Sequence, residues 1–141
     1  MSVAQPADRV LPIPALNRPT AVFGGIAVAL VLNLIVWLIG AAAGGEFTSE
    51  GEPVAPGGVI VMSIVPLLIG LGAAALLSYK WVAVLRVAAV VGSLLALGTI
   101  ALTVAAEFDT ASTVALSLMH VVLVPVIIVA TEGLHRKLTR S

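Results

Sequence analysis

"AVFGGIAVALVLNLIVWLIGAAA", residues Ala21 to Ala43, runs for 23 residues without a charged side chain. An α-helix rises about 1.5 Å per residue, so about 20 apolar residues cross the roughly 30 Å hydrocarbon core of a bilayer. A helix also satisfies its backbone N–H and C=O groups internally, as lipid requires. A signal-peptide core is about 7–15 residues long, shorter than this run. The "AAA" of Ala41–Ala43 resembles a cleavage site, but a long, proline-bearing segment precedes the run. The stretch is therefore read as a first transmembrane span.

Three more runs share its character. Val59–Leu77 has 19 residues, Val87–Ala106 has 20 and Thr113–Ala130 has 18. The third extends backwards through "WVAVLR", Trp81 to Arg86. The predicted spans are 21–43, 59–77, 82–106 and 113–130, within a transmembrane domain of residues 21–130. Residues 1–20 form a Pro-rich tail, with Pro6, Pro12, Pro14 and Pro19, that cannot be regular helix. Residues 131–141 form a basic tail. The expected fold class is all-α: an integral membrane four-helix bundle with short loops. "GGEFTSEGEPVAPGG", Gly44 to Gly58, is the longest connection and reads as irregular.

Composition agrees. Hydrophobic residues make up 60% of the 141 and charged residues 10%, against about 25% charged in ordinary soluble domains. There is no cysteine, which removes disulfides and thiolate chemistry. The formal net charge of zero leaves no basic footprint for nucleic acid.

The positions of the charges give orientation. Arg9 and Arg18 precede the first span, Lys80 and Arg86 sit at the second turn, and Arg136, Lys137 and Arg140 follow the fourth span. The other two loops hold no Lys or Arg but carry Glu46, Glu50, Glu52, Glu107 and Asp109. Cytoplasmic flanks carry the Lys/Arg excess, so both termini are expected in the cytoplasm. A chain with this bias inserts one way, and any homo-oligomer is expected to be parallel. No glutamate lies within a span, unlike the small multidrug transporters of the same helix count. Arg18, Tyr79, Lys80, Trp81, Arg86, Arg136 and Lys137 read as membrane-interface anchors. Arg86 finds no acid inside a span and is expected to snorkel.

Polar residues inside spans are the strongest pointers to function. His120 lies about seven residues into the fourth span, roughly 10 Å deep at about 1.5 Å per residue. A charged ring there is costly, so the neutral ring is expected, with Ser117 on its face. It serves either to lock the bundle through a Ser or Thr of a neighbouring helix, or as a relay or ligand contact. Asn33 near the middle of span one needs a partner. Ser63, Thr99, Ser117 and His120 share the outer half. Together with Asn33 they would make an outward-facing polar pocket if they converge. His135, the only other histidine, lies at the opposite side, so no metal site is expected. Pro66 and Pro125 interrupt helix bonding. Small residues recur at four-residue spacing, including Ala88, Gly92 and Ala96, and allow close helix approach. No GxSxG, HExxH, phosphate loop or intramembrane carboxylate pair is present, so neither catalytic residues nor a cofactor are assigned.

The Arg-bearing tail, the Ala/Val-rich spans and "SLMHVVLVPVI", Ser117 to Ile127, together resemble a family of uncharacterised small four-span membrane proteins from high-GC Gram-positive bacteria. The resemblance implies topology and a bacterial plasma membrane, and no chemistry. The expected role is a non-catalytic structural or accessory subunit packing with itself or a larger membrane complex. The alternative is a carrier or sensor of a lipid or small molecule around His120.

Overall fold

The structure, a computed structural model, describes residues 12–140. Pro6 and Arg9 of the tail, and residue 141, lie outside the described residues. A π-helical turn, Thr20–Gly24, leads into α1, Gly25–Ala42. Then come β1, Thr48–Ser49, β2, Glu52–Pro53, α2, Gly57–Leu77, α3, Val84–Ala105, and α4, Thr110–Thr139. All four helices are long and apolar enough to cross a membrane, as expected of a multi-pass membrane protein. The two ends of the described residues and the α2–α3 turn lie at one end, here the terminal end. The other two connections lie at the loop end.

The packing is uneven. α4 is the central helix, packed extensively on α3 and α1, while α2 leans on α1 and touches α3 and α4 far less. α1 and α3 do not meet. At the terminal end a continuous apolar core joins all four helices, including Leu71, Ala75, Leu85, Ile127 and Leu134. At the loop end a smaller cluster of Phe47, Val59, Ala115 and Met119 draws on α1, α2 and α4 and the first loop, with no α3 residue. α2 and α3 therefore diverge from their shared turn.

Three details differ from the sequence reading. First, α4 continues to Thr139, nine residues beyond the apolar run that ends at Ala130. Hydropathy falls at Thr131, but helix propensity does not, and "TEGLHRKLT" extends the rod beyond the apolar core. This brings Glu132 beside Arg86, with an N–O separation of 3.9 Å. Arg86 thus has an acidic neighbour, although its side chain is 68% exposed. Second, residues 12–17 have no regular secondary structure and are docked on α4. The Leu16 N–H donates to the Gly133 carbonyl at 2.9 Å, and Arg136 Nη1 donates to the Ile13 carbonyl at 3.0 Å. Glu132 accepts from Arg136 Nε at 3.4 Å and orients it. A Cβ on Gly133 would meet Leu16 Cγ and Cδ1 at 2.8 Å, so glycine is what admits the strap.

Third, the long connection is partly ordered. β1 and β2 form a two-residue antiparallel ladder, Thr48 opposite Pro53 and Ser49 opposite Glu52. Glu50 and Gly51, with φ of 52° and 83°, make the left-handed turn that a two-residue hairpin favours. Phe47 turns its ring inward and is 2% exposed.

The basic anchors do more than face headgroups. Arg18 Nε reaches the Ala75 carbonyl and Ser78 Oγ, each at 3.2 Å, satisfying the C-terminal end of α2. Its guanidinium carbon lies 3.6 Å from the Tyr79 ring centroid, within cation–π range. Tyr79, Lys80 and Trp81 stand exposed on the turn, and Lys137 is exposed on the last turn of α4.

Candidate ligand-binding cavity

Where α2 and α3 diverge, they leave a cavity of about 560 Å³. Pockets that hold small molecules range over about 300–1,000 Å³. α2 forms one wall, α3 the other and α4 the floor, and Asn33 of α1 closes the back. Along α2 the lining runs from Gly58 to Leu71, roughly 20 Å at about 1.5 Å per residue. Val54 and Phe108 cover the loop end. Met62 and Leu95, which line opposite walls, are 67% and 66% exposed, so the groove opens sideways between α2 and α3.

Polarity changes along its length. Ser63, Thr99 and His120 line the half towards the loop end, with Asn33 behind them. Leu67, Gly70, Leu71, Ala88, Gly92 and Ile127 line the half towards the terminal end. The cavity is amphipathic along its axis, and no Asp, Glu, Lys or Arg contributes to it.

Of the polar residues marked in the sequence, Asn33, Ser63, Thr99 and His120 line this one cavity, while Ser117 is half-buried and does not. Asn33 Nδ2 donates to Ser63 Oγ at 2.8 Å, a buried hydrogen bond that ties α1 to α2. Such bonds within membranes average about 0.6 kcal/mol. Asn33 Oδ1 is buried with no partner. His120 pairs neither with Ser117 nor with a neighbouring helix. Its Nδ1 lies 2.7 Å from the Leu116 carbonyl, one turn back on its own helix. A carbonyl has no proton to give, so Nδ1 carries the hydrogen. In the neutral ring Nε2 is then a bare acceptor. Thr99 Oγ1 likewise donates to its own helix, to Leu95 O at 2.7 Å.

Pro66 also lines the groove. Lacking an N–H, it cannot donate to the Met62 carbonyl one turn earlier. The small residues play two roles. A Cβ on Gly92 would lie 3.3 Å from Ile127, so Gly92 lets α3 close on α4. A Cβ on Gly70 would meet nothing within 4 Å, so Gly70 keeps the groove open. In the sequence the two glycines look alike, and only the divergence of α2 from α3 separates their roles.

Above the cavity, Asp109 pins the loop end. Its carboxylate accepts from the Ser112 N–H at 2.9 Å and from the Ser112 hydroxyl, capping α4, and from the Glu46 N–H at 3.1 Å. Ser112 Oγ in turn accepts from the Phe47 N–H at 2.8 Å. The Ser112 hydrogen bonds, hydroxyl first, lower the Asp109 carboxyl from 3.8 to about 2. Among the described residues, no three His, Cys, Asp or Glu side chains come together in a metal-binding group.

Residues 14–137 match a protein family described as "Family of unknown function (DUF6069)". No curated protein and no solved structure shows significant similarity to the chain.

Proposed function

The chain belongs to the DUF6069 family, whose function is unknown, and from its cavity we propose that it is a multi-pass membrane protein that binds one lipophilic molecule in the groove between α2 and α3. The observation that carries this reading is the amphipathic cavity of about 560 Å³. It sits among helices whose apolar length matches a bilayer, and its side opening lets a ligand enter from lipid. The distribution of Lys and Arg supports placing both termini in the cytoplasm. The polar half of the groove then lies in the outer leaflet of the plasma membrane. The reading makes the chain a carrier or sensor and assigns it no catalytic step.

The accessory-subunit reading rests on the exposed outer face of α3, with Val90, Leu94 and Leu102 bare. Lipid covers such a face as readily as a partner does, so it favours neither reading.

Native mass spectrometry of protein extracted gently from its own membrane tests the proposal. The expected result is a reproducible lipophilic adduct that disappears in Gly70→Leu. That side chain enters open space, so the variant is expected to fold with unchanged or slightly raised thermal stability, since Gly costs a helix interior up to about 1 kcal/mol. Wild-type protein released bare, or a Gly70→Leu variant that keeps the adduct, overturns the reading.

A further inference from the structure

The polar atoms of the groove specify one kind of head group. Asn33 Nδ2 is committed to Ser63 Oγ, leaving the buried Oδ1 as an acceptor without a donor. His120 Nδ1–H is committed to Leu116 O, leaving Nε2 as an acceptor. Thr99 has given its hydroxyl hydrogen to Leu95 O and keeps only lone pairs. The Met62 carbonyl has lost its usual donor to Pro66. Against these acceptors stand two donor hydrogens, the Ser63 hydroxyl hydrogen, because Ser63 Oγ acts as acceptor in its bond to Asn33, and the second amide hydrogen of Asn33 Nδ2. A buried acceptor without a donor costs about 1–3 kcal/mol.

Charge narrows the choice further. No Lys or Arg lines the groove to neutralise a phosphate or carboxylate, and no Asp or Glu lines it to hold an ammonium. An ionised head group would enter a low-dielectric site without a counter-charge. A head group that donates one hydrogen bond, accepts another and carries no charge fits this set. A hydroxyl does so. The apolar half, from Leu67 towards Ile127, takes a chain lying along the helices.

We infer that the ligand is a neutral, hydroxyl-terminated apolar molecule, whose hydroxyl lies between Asn33, Ser63 and His120 and whose chain lies along Gly70 and Gly92. This rests on the reading of the groove as a lipophile site and adds the chemistry of the head group. Phospholipids are excluded as occupants of the polar half by their phosphate.

Three probes of matched chain decide it: oleyl alcohol, its methyl ether and oleate. Each is incorporated at equal mole fraction into phosphatidylglycerol nanodiscs holding the full chain, and bound adduct is read by native mass spectrometry. The alcohol is expected to be retained about tenfold more than the ether, the worth of one to two well-placed hydrogen bonds. Oleate is expected below both. His120→Phe, which keeps an aromatic ring and removes the acceptor, brings the alcohol down to the level of the ether. Thermal melts of the variant confirm its fold, and the three-probe ranking in wild-type protein stands without it. Equal retention of alcohol and ether overturns the hydroxyl inference and leaves the groove reading intact, as does a preference for oleate. Retention of none of the three overturns both.

Discussion

The two ends of this bundle are built from the same helices and closed by opposite means. At the terminal end, Ala75, Leu85 and Leu134 meet in one apolar core. The strap of residues 12–17 is seated on Gly133 there, and Arg18 caps α2. At the loop end α3 leaves the core, and a small cluster around the Phe47 ring, held by Ser112 and Asp109, joins Val54 and Phe108 in closing it. A small protein with four helices can seal one end by burial and keep a cavity at the other only if something other than helix packing holds the open end in shape. The hairpin loop supplies that.

The comparison can be broken at its most concentrated point. Phe47→Ala removes the largest buried side chain of the loop end, and a Phe-to-Ala change in a core costs about 3–5 kcal/mol. A large drop in melting temperature in detergent is expected, together with protease cleavage within residues 44–56. An unchanged melt would show that the loop end does not depend on the plug. Gly133→Leu challenges the other end. Its side chain would occupy the place of Leu16, and overpacking costs about 1–3 kcal/mol. Residues 12–17 should detach and exchange amide hydrogens rapidly while the groove still binds its ligand.

Asp109→Asn sharpens the contrast through pH. The carboxyl is lowered from 3.8 to about 2 in the folded chain. Its stabilising effect is therefore fully present above the unfolded value, and it is lost as pH falls from about 4 through 2. Amide exchange at Glu46 and Phe47 should rise across that window in wild-type protein. In the asparagine variant it should be high and nearly flat. The smallest effect is reserved for Arg86→Gln. The Arg86–Glu132 pair is long, and its arginine is 68% exposed, so about 0–1 kcal/mol is expected. A melting shift of more than a few degrees would show that the pair is shielded from water by the bilayer.

The four helices were legible because apolar length is a one-dimensional quantity. Ala21–Ala43 carries its own argument about bilayer thickness, and the π-helical turn and α1 together, Thr20–Ala42, follow it to within a residue at each end. The end of α4 was not legible, because hydropathy marks where lipid stops and not where a helix stops, and "TEGLHRKLT" is polar and helical at once. Apolar length therefore puts Glu132 in a tail and leaves Arg86 with no acid inside a span. Phe47 was hidden for a related reason. One aromatic between Glu46 and Thr48 looks solvated until the loop folds back on Ser112.

In the groove, the residue types were visible and the pairings were not. Asn33 meets Ser63 only because α1 and α2 are neighbours, and adjacency is absent from a single sequence. Of the two sequence readings of His120, a lock to another helix or a relay or ligand contact, the first has the ring reach across the bundle. A ring one turn above a carbonyl of its own helix has a nearer partner, and Leu116 O accepts the hydrogen bond from Nδ1–H. Gly70 and Gly92 follow the same pattern, identical as letters and opposite in effect.

The strap that joins Ile13 and Leu16 to Gly133 and Arg136 spans more than a hundred residues of chain. A ribosome makes its two halves in reverse order of need. The N-terminal segment emerges first and has no surface to lie on until the last helix has been synthesised and inserted. Until then Leu16 lacks its Gly133 seat, and the α2–α3 opening has no α4 floor. The docked strap and the floor of the cavity both depend on the final helix, so a chain lacking α4 would have neither.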